Sequence, residues 1–69
     1  MKTPQDIADM LRGYRAQRYL TREELAERAG IATETLKFIE QNFRDNYPRL
    51  ATAVRLADAM GITLDEFVR

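Results

Sequence analysis

Cysteine, histidine and tryptophan are absent from this chain of 69 residues, which also holds only three glycines and two prolines. Without cysteine it can form neither a disulfide nor a thiolate metal site, and without histidine it lacks the commonest zinc ligand and acid–base catalyst. Any metal site would have to be built from carboxylates alone. The sequence also has no run of 18 apolar residues and no signal-peptide layout, so we expect a soluble cytoplasmic protein with no membrane partner.

The length excludes several classes of protein. A chain of 69 residues predicts one domain over residues 1–69, because a second core would need roughly 50 more residues. A domain this small buries only about 60% of the surface of its unfolded chain, which argues against an enzyme with a large cleft. No nucleophile–base set and no phosphate-cradling loop is present. We therefore expect no enzymatic activity, no cofactor and no small-molecule ligand.

The composition favours an all-α fold. Alanine, leucine, arginine and glutamate dominate, and glycine and proline are too few to separate many short strands. Threonine followed three residues later by an acid, the pattern that caps a helix start, occurs at Thr3, Thr21 and Thr63. With the apolar periodicity, this predicts five helices: one to about Arg18, one between Thr21 and Gly30, one over about 33–41, one from Pro48 to Met60, and a short terminal one.

A helix-turn-helix spacing connects the second and third helices. Ala26 permits a close helix crossing, Gly30 permits a sharp turn, and Leu36 with Ile39 fills the angle between the helices. Together with the helix 1 arginine, Glu40 and the segments 25–31 and 56–65, this spacing resembles the Cro/phage-repressor (XRE-like) five-helix DNA-binding domains over about residues 7–68. The motif itself occupies about residues 21–41.

The resemblance implies that the third helix enters the major groove of duplex DNA. By match to the family, the base-reading residues are Ala32, Thr33, Glu34, Lys37 and Phe38. The helical period agrees, because positions 33, 34, 37 and 38 face outward when Leu36 and Ile39 face inward. A solvated helix face is the alternative interpretation of each, and Glu34 and Phe38 depart from the polar or basic residues usual in the family.

The resemblance also assigns residues that would hold the DNA backbone and one structural pair. The phosphate-contacting residues would be Arg22, Gln41, Asn42, Arg44 and Arg49. The loop after Glu40 departs from the family by about two extra residues and by Asn42 in place of glycine, which weakens the match there. The resemblance implies that Arg15 and Glu40 form a partly buried salt bridge and are not a functional dyad.

The formal net charge is zero, with eleven basic and eleven acidic residues, but the charge is unevenly distributed. Four basic and two acidic residues lie between positions 37 and 55, whereas Asp58, Asp65 and Glu66 make the C-terminal end acidic. A neutral chain can therefore still present a basic face to DNA.

Two functions of different classes fit the sequence. The first is sequence-specific binding of double-stranded DNA by a small repressor-like transcription regulator, acting as a homodimer on a palindrome. Its candidate dimer contacts are Ile62, Leu64, Phe67 and Val68, for which ordinary packing under the fourth helix is the alternative. The second is a helix-turn-helix reused as a protein–protein interaction module or antitoxin-type domain, which the zero net charge, the acidic Glu34 and the aromatic Phe38 favour.

Overall fold

The computed structural model describes residues 1–41 and 46–69, and no strand occurs within these two ranges. They fold into five helices: α1 (Pro4–Arg18), α2 (Arg22–Ala29), α3 (Thr33–Gln41), α4 (Leu50–Met60) and α5 (Leu64–Val68). The prediction of an all-α, five-helix fold is confirmed. None of the described helices is long and apolar enough to cross a membrane.

Three threonines cap three of the helices. Thr21 shows the arrangement: its hydroxyl accepts a hydrogen bond from the Glu24 backbone N–H at 3.1 Å, and the Glu24 carboxylate accepts one from the Thr21 backbone N–H at 2.8 Å. The same reciprocal pair forms at the starts of α1 and α5. In each capping box, two backbone N–H groups that would otherwise bond to water donate to side-chain oxygens. This pairing fixes the residue at which the helix begins.

The start of α4 differs from the sequence-based prediction. Pro48 was expected in its first turn, but the helix begins at Leu50, after Arg49. Arg49 has the extended dihedral angles φ −62° and ψ 156°, and helical geometry starts only after it. Pro48 lies before the helix and is buried.

The core lies where all five helices meet. α1 packs against α3, α2 packs against α3 and α4, and α5 packs against α4. The side chains with no accessible surface include Ile7, Leu11, Leu36, Leu56 and Phe67. Phe67 therefore anchors the five-residue α5, which is too short to be stable alone. Because Phe67 is fully buried, its assignment as a candidate dimer contact is wrong.

Both ends of the chain meet beside α5. The Lys2 backbone N–H donates to the Val68 carbonyl oxygen at 2.6 Å, and the Lys2 ammonium donates to the Glu66 and Phe67 carbonyl oxygens at 2.6 and 3.2 Å. These carbonyls lie at the C-terminal end of α5, where a helix leaves them without intrahelical partners and where its dipole favours a cation. The N-terminal segment therefore closes α5.

Gly13 is a site where a larger residue should stabilise the fold. It is exposed within α1, and a Cβ atom added there would have no atom within 4 Å. We expect Gly13→Ala to raise the free energy of unfolding by about 0.5–1 kcal/mol, because alanine loses less backbone entropy on forming a helix. Thermal denaturation measures the change. The control is Gly61→Ala, which also meets open space but sits at φ 72° and should therefore destabilise; stabilisation by both variants would contradict the argument.

The capping boxes should make stability depend on pH. Hydrogen bonds from the Thr21 backbone N–H and hydroxyl hold the pKa of Glu24 below its ordinary value of 4.5. A carboxyl group with a lowered folded-state pKa stabilises the fold above its unfolded pKa, and that contribution is lost as the pH falls through the lowered value. Glu24→Gln keeps a side-chain acceptor but cannot titrate.

We therefore expect the urea midpoint to fall less for Glu24→Gln than for the unaltered chain when the pH is lowered from 6 to 3. These two pH values lie on either side of the ordinary carboxyl pKa of roughly 4. Glu27→Gln, which removes a carboxylate from the same helix without touching the cap, is the reference. A pH dependence for Glu24→Gln equal to that of the unaltered chain would show that the cap does not titrate in this range.

Candidate nucleic-acid interface

The turn between α2 and α3 is fixed by backbone hydrogen bonds and a cation. Gly30 adopts φ 70°, a left-handed conformation that glycine accepts without strain, and the Ile31 N–H donates to the Ala26 carbonyl oxygen at 3.0 Å. Arg55, on α4, donates to the Gly30 carbonyl oxygen at 2.8 Å. The turn is therefore held from both α2 and α4, which sets the direction in which α3 leaves it.

The inner face of α3 is buried and its outer face is free. Leu36 and Ile39 lie in the core, as the spacing predicts, and Ala26 is buried on α2 at the crossing. On the opposite face Glu34, Lys37 and Phe38 are exposed, and the Phe38 side chain is 55% exposed. α3 therefore has one face in the core and one face at the surface.

The remaining two base-reading candidates lie at the start of α3. Ala32 is exposed just before the helix, and its carbonyl oxygen accepts the first helical hydrogen bond, from the Leu36 N–H at 3.3 Å. Thr33 is half-buried. The five candidates therefore share the N-terminal part and the outer face of one helix.

Two hollows lie on either side of Phe38. The larger, about 490 Å³, lies between α3 and the segment leading into α4, and is lined by Thr35, Phe38, Ile39, Asn46, Tyr47, Pro48, Arg49 and Thr52. The smaller, about 280 Å³, is lined by Glu34, Lys37, Phe38 and Gln41. Among these described residues the larger hollow has hydroxyl, amide and guanidinium groups.

A buried carboxylate lies behind this face. Glu40 has no accessible surface, and its two oxygens accept hydrogen bonds from Arg15 Nε at 2.9 Å and from Arg15 Nη2 at 2.7 Å. Its Oε1 also accepts from Arg22 Nε at 3.2 Å, and its backbone carbonyl accepts from Arg12. The Arg15–Glu40 salt bridge that the family resemblance implies is therefore present, and two further arginines join it. The hydrogen bonds from Arg15 to the Glu40 carboxylate raise the pKa of Arg15 above its ordinary value, so its guanidinium stays charged.

Arg22 is hydrogen-bonded to the described part of the fold through the Nε of its guanidinium. It is the first residue of α2, a position where the helix dipole disfavours a cation, and Glu40 compensates for this. Among the described residues only its Nε donates a hydrogen bond, while Nη1 and Nη2 make none. Its side chain is half-buried, so these two groups remain available to an anion at the surface.

The other candidate phosphate ligands are only partly described. Gln41 is exposed at the end of α3, and Arg49 is exposed just before α4 and makes no side-chain cap hydrogen bond. Asn42 and Arg44 lie outside the described residues. Arg22 thus lies in α2, Gln41 at the end of α3 and Arg49 just before α4.

Sequence reasoning missed some polar residues beside α3. Thr35 is exposed and lines the larger hollow, but it lies four residues before the inward-facing Ile39, so the helical period that identified Lys37 and Phe38 did not single it out. Asn46 and Tyr47 lay in a segment that was predicted only as a loop, and no spacing could have placed them there. Asn46 donates to the Phe38 carbonyl oxygen at 3.4 Å, which connects this segment to α3.

Comparison with known proteins agrees with this geometry. The model of the helix-turn-helix family, of the XRE-like, Cro-type kind, matches residues 11–67, which is most of the chain. The chain belongs to this family, whose members are DNA-binding, non-enzymatic regulator domains. No curated protein and no solved structure gives a significant match.

Removing the shared carboxylate should strongly destabilise the fold, because it leaves partly buried arginines without their partner. Glu40→Gln keeps the size of the side chain but leaves Arg15, whose side chain is only 19% exposed, facing no negative charge. Breaking a buried ion pair from one side costs about 3–5 kcal/mol, so we expect a loss of roughly 3 kcal/mol in urea denaturation. Asp9→Asn, which removes an exposed carboxylate paired with Arg12, is the control and should change stability by less than about 1 kcal/mol. Equal losses for the two variants would contradict the assignment.

Proposed function

We propose that this chain binds double-stranded DNA in a sequence-specific manner as a small repressor-like transcription regulator, with α3 in the major groove. The observation that carries the proposal is the two-sided character of α3. Its inner face is buried in the core and its end is held by three arginines, whereas its outer face has no packing partner among the described residues. A rigidly held helix with a free, chemically varied face is what major-groove recognition requires.

The exposed side chains of α3 provide different contacts to base edges. Lys37 donates to the O6 and N7 acceptors of guanine, and Thr33 hydrogen-bonds a base or packs on a thymine methyl group. Phe38, with its ring exposed, packs on a thymine methyl group, and Glu34 accepts from the amino group of cytosine. Ala32 allows close approach of the backbone. DNA phosphates repel the Glu34 carboxylate. At a site without the cytosine that Glu34 accepts from, no hydrogen bond offsets this repulsion, so Glu34 makes the interface selective.

Phosphate contacts would position the domain. Arg22 offers Nη1 and Nη2 while its Nε stays on Glu40, and Gln41 at the end of α3 and Arg49 just before α4 are exposed. Asn42 and Arg44, which lie outside the described residues, complete the set that the family match suggests. Such contacts fix the register of the helix in the groove without reading sequence.

A homodimer on a palindrome would double these contacts. Ile62, Leu64 and Val68 are only partly buried around α5, and Leu50 and Val54, one turn apart on α4, are exposed. The Leu50 side chain is 70% exposed. We propose that this apolar surface joins two copies, which would place two α3 helices in successive major grooves about 34 Å apart.

Selection of binding sites from a random duplex pool at ~0.1 M salt is the first test. Specific affinity should exceed non-specific affinity by at least ~10³-fold, and the enriched sequence should be a palindrome with half-sites one helical turn apart. Absence of enrichment, with the protein shown to be folded by circular dichroism, would refute the proposal.

Two substitutions separate positioning from base reading. Arg22→Ala should weaken binding to every sequence by a similar factor and lower the salt slope by about 1, because one phosphate contact is lost. Lys37→Ala should weaken binding to the selected site and relax the preference at one base pair, a change of about 1–3 kcal/mol in discrimination. Both are measured by fluorescence anisotropy on the selected site and its single-base variants. Equal effects of the two substitutions on all sequences would refute these roles.

A protein partner is the second candidate function, and Phe38 is the observation that favours it. An exposed aromatic ring between two hollows, on a chain of zero net charge, also fits an anchor in a protein interface. Salt dependence distinguishes the two functions. DNA binding weakens steeply as salt rises, whereas an apolar protein interface hardly responds.

A further inference from the structure

Tyr19 has an unfavourable backbone conformation. It follows the last residue of α1 and adopts the left-handed dihedral angles φ 55° and ψ 40°. α2 and α4 end in the same conformation, but on Gly30 and Gly61. Elsewhere in residues 1–41 and 46–69, no other residue with a Cβ has a positive φ. A Cβ in this conformation approaches the following carbonyl oxygen, so tyrosine makes the fold less stable than glycine would.

The hydrogen bonds that end α1, from the Tyr19 N–H to the Ala16 and Arg15 carbonyl oxygens, use only the backbone and would form equally well with glycine at position 19. The Tyr19 side chain is 93% exposed, so it adds almost no packing to the core. Its hydroxyl group donates no hydrogen bond to a described residue. The adjacent Arg18 stacks on a different ring, that of Tyr14, with 4.0 Å between the guanidinium carbon and the ring centroid. A tyrosine that keeps this conformation, and whose side chain gives the described fold nothing that glycine would lack, indicates a contact with something outside the fold.

The ring nevertheless projects from a rigid point. The Leu20 N–H donates to the Arg15 carbonyl oxygen at 2.9 Å, and Arg15 Nη1 donates to the Leu20 carbonyl oxygen at 3.2 Å. The same Arg15 is held by the buried Glu40. Arg22 follows three residues after Tyr19, so their Cα atoms are at most about 11 Å apart. Tyr19 is therefore presented, with little conformational freedom, near the arginine whose outer nitrogens are available.

The surroundings of Tyr19 favour the DNA backbone over a protein. Its exposed neighbours along the chain are mostly polar or basic, namely Gln17, Arg18 and Thr21 beside Ala16, and the adjacent Leu20 is half-buried. The other large exposed apolar side chains belong to the N-terminus, α3 or residues 47–54. An aromatic anchor of a protein interface is normally surrounded by apolar contacts that exclude water, and Tyr19 has none of these. A tyrosine hydroxyl is, by contrast, one of the common donors to DNA phosphate.

We propose that Tyr19 contacts the sugar–phosphate backbone of duplex DNA next to the phosphate bound by Arg22. Its hydroxyl donates a hydrogen bond to a phosphate oxygen, and its ring packs on the adjoining deoxyribose. The contact is independent of sequence and carries no charge. This inference rests on the proposed DNA-binding function, and it gives the strained tyrosine a role that glycine could not perform.

Two variants of the full chain test the proposal through opposite changes in stability and affinity. Tyr19→Gly relieves the strain and removes the contact, so its Tm should rise by roughly 4 °C while its Kd weakens about fivefold. Tyr19→Phe keeps the ring and the strain, so its Tm should stay unchanged while its Kd weakens about threefold. The probe is a 20-base-pair duplex of arbitrary sequence, followed by fluorescence anisotropy at several salt concentrations.

The salt dependence gives an independent readout. Loss of an uncharged contact releases no fewer counterions, so both Tyr19 variants should keep the salt slope of the unaltered chain, whereas Arg22→Ala should lower it by about 1. Gln17→Ala, a substitution of an exposed residue two positions earlier, is the matched control and should change neither Tm nor Kd.

The possible failures are distinguishable. If the unaltered chain binds DNA and both Tyr19 variants bind equally well, the Tyr19 contact is overturned, the proposed function stands, and a protein becomes the partner to test at Tyr19. If the unaltered chain binds no duplex, the proposed function fails and this inference fails with it. A lower Tm for Tyr19→Gly would overturn the argument from strain.

Discussion

The carboxylate of Glu40 is the interaction on which the recognition surface depends. It lies near the C-terminal end of α3, yet its oxygens are bound by an arginine of α1 and an arginine of α2, and its backbone carbonyl by a second arginine of α1. One buried charge therefore joins the three helices that build the interface. Burying it would be costly without these partners, so the charge specifies this one arrangement of helices more than it adds net stability.

The Glu40 interaction connects the stability of the fold with the proposed contact to DNA. Arg22 hydrogen-bonds a buried carboxylate through Nε, and in the proposed function its Nη1 and Nη2 bind an anion, so one guanidinium would serve both the fold and the proposed interface. Arg15 holds Glu40 and also the carbonyl oxygen of Leu20, next to Tyr19. The connection between α1 and α2 and the end of α3 thus form one hydrogen-bonded unit, and a phosphate that approaches there meets groups already in place.

Much of the fold could be predicted from the sequence because its signals are local. Capping threonines, glycines at helix ends and the spacing of Leu36 and Ile39 each act within one or two turns, and the helices start and end where these signals indicate, except at Pro48. The burial of Phe67 could not be predicted in this way, because it depends on how α5 meets α4. The approach of Arg12 and Arg22 to Glu40 could not be predicted either, because these residues lie 28 and 18 positions from Glu40 along the chain.

The candidate site also has one part that the sequence predicts and another that it does not. The outward face of α3 follows from helical periodicity, so Lys37 and Phe38 are exposed as expected, whereas Thr35, four residues before the buried Ile39, is exposed although the period does not predict it. The conformation of Tyr19 had no sequence signal, because glycine or asparagine is the residue that marks such a helix end. Its unusual backbone becomes visible only in three dimensions.

The hydrogen bonds from Lys2 to the end of α5 have a topological consequence. Because the Lys2 N–H meets the Val68 carbonyl oxygen at 2.6 Å, the path of the backbone through the domain is almost a closed ring. A protein whose ends adjoin can be joined head to tail and opened elsewhere with its contacts preserved. The order in which the five helices follow one another along the chain is therefore one of several that would give this arrangement of helices in space.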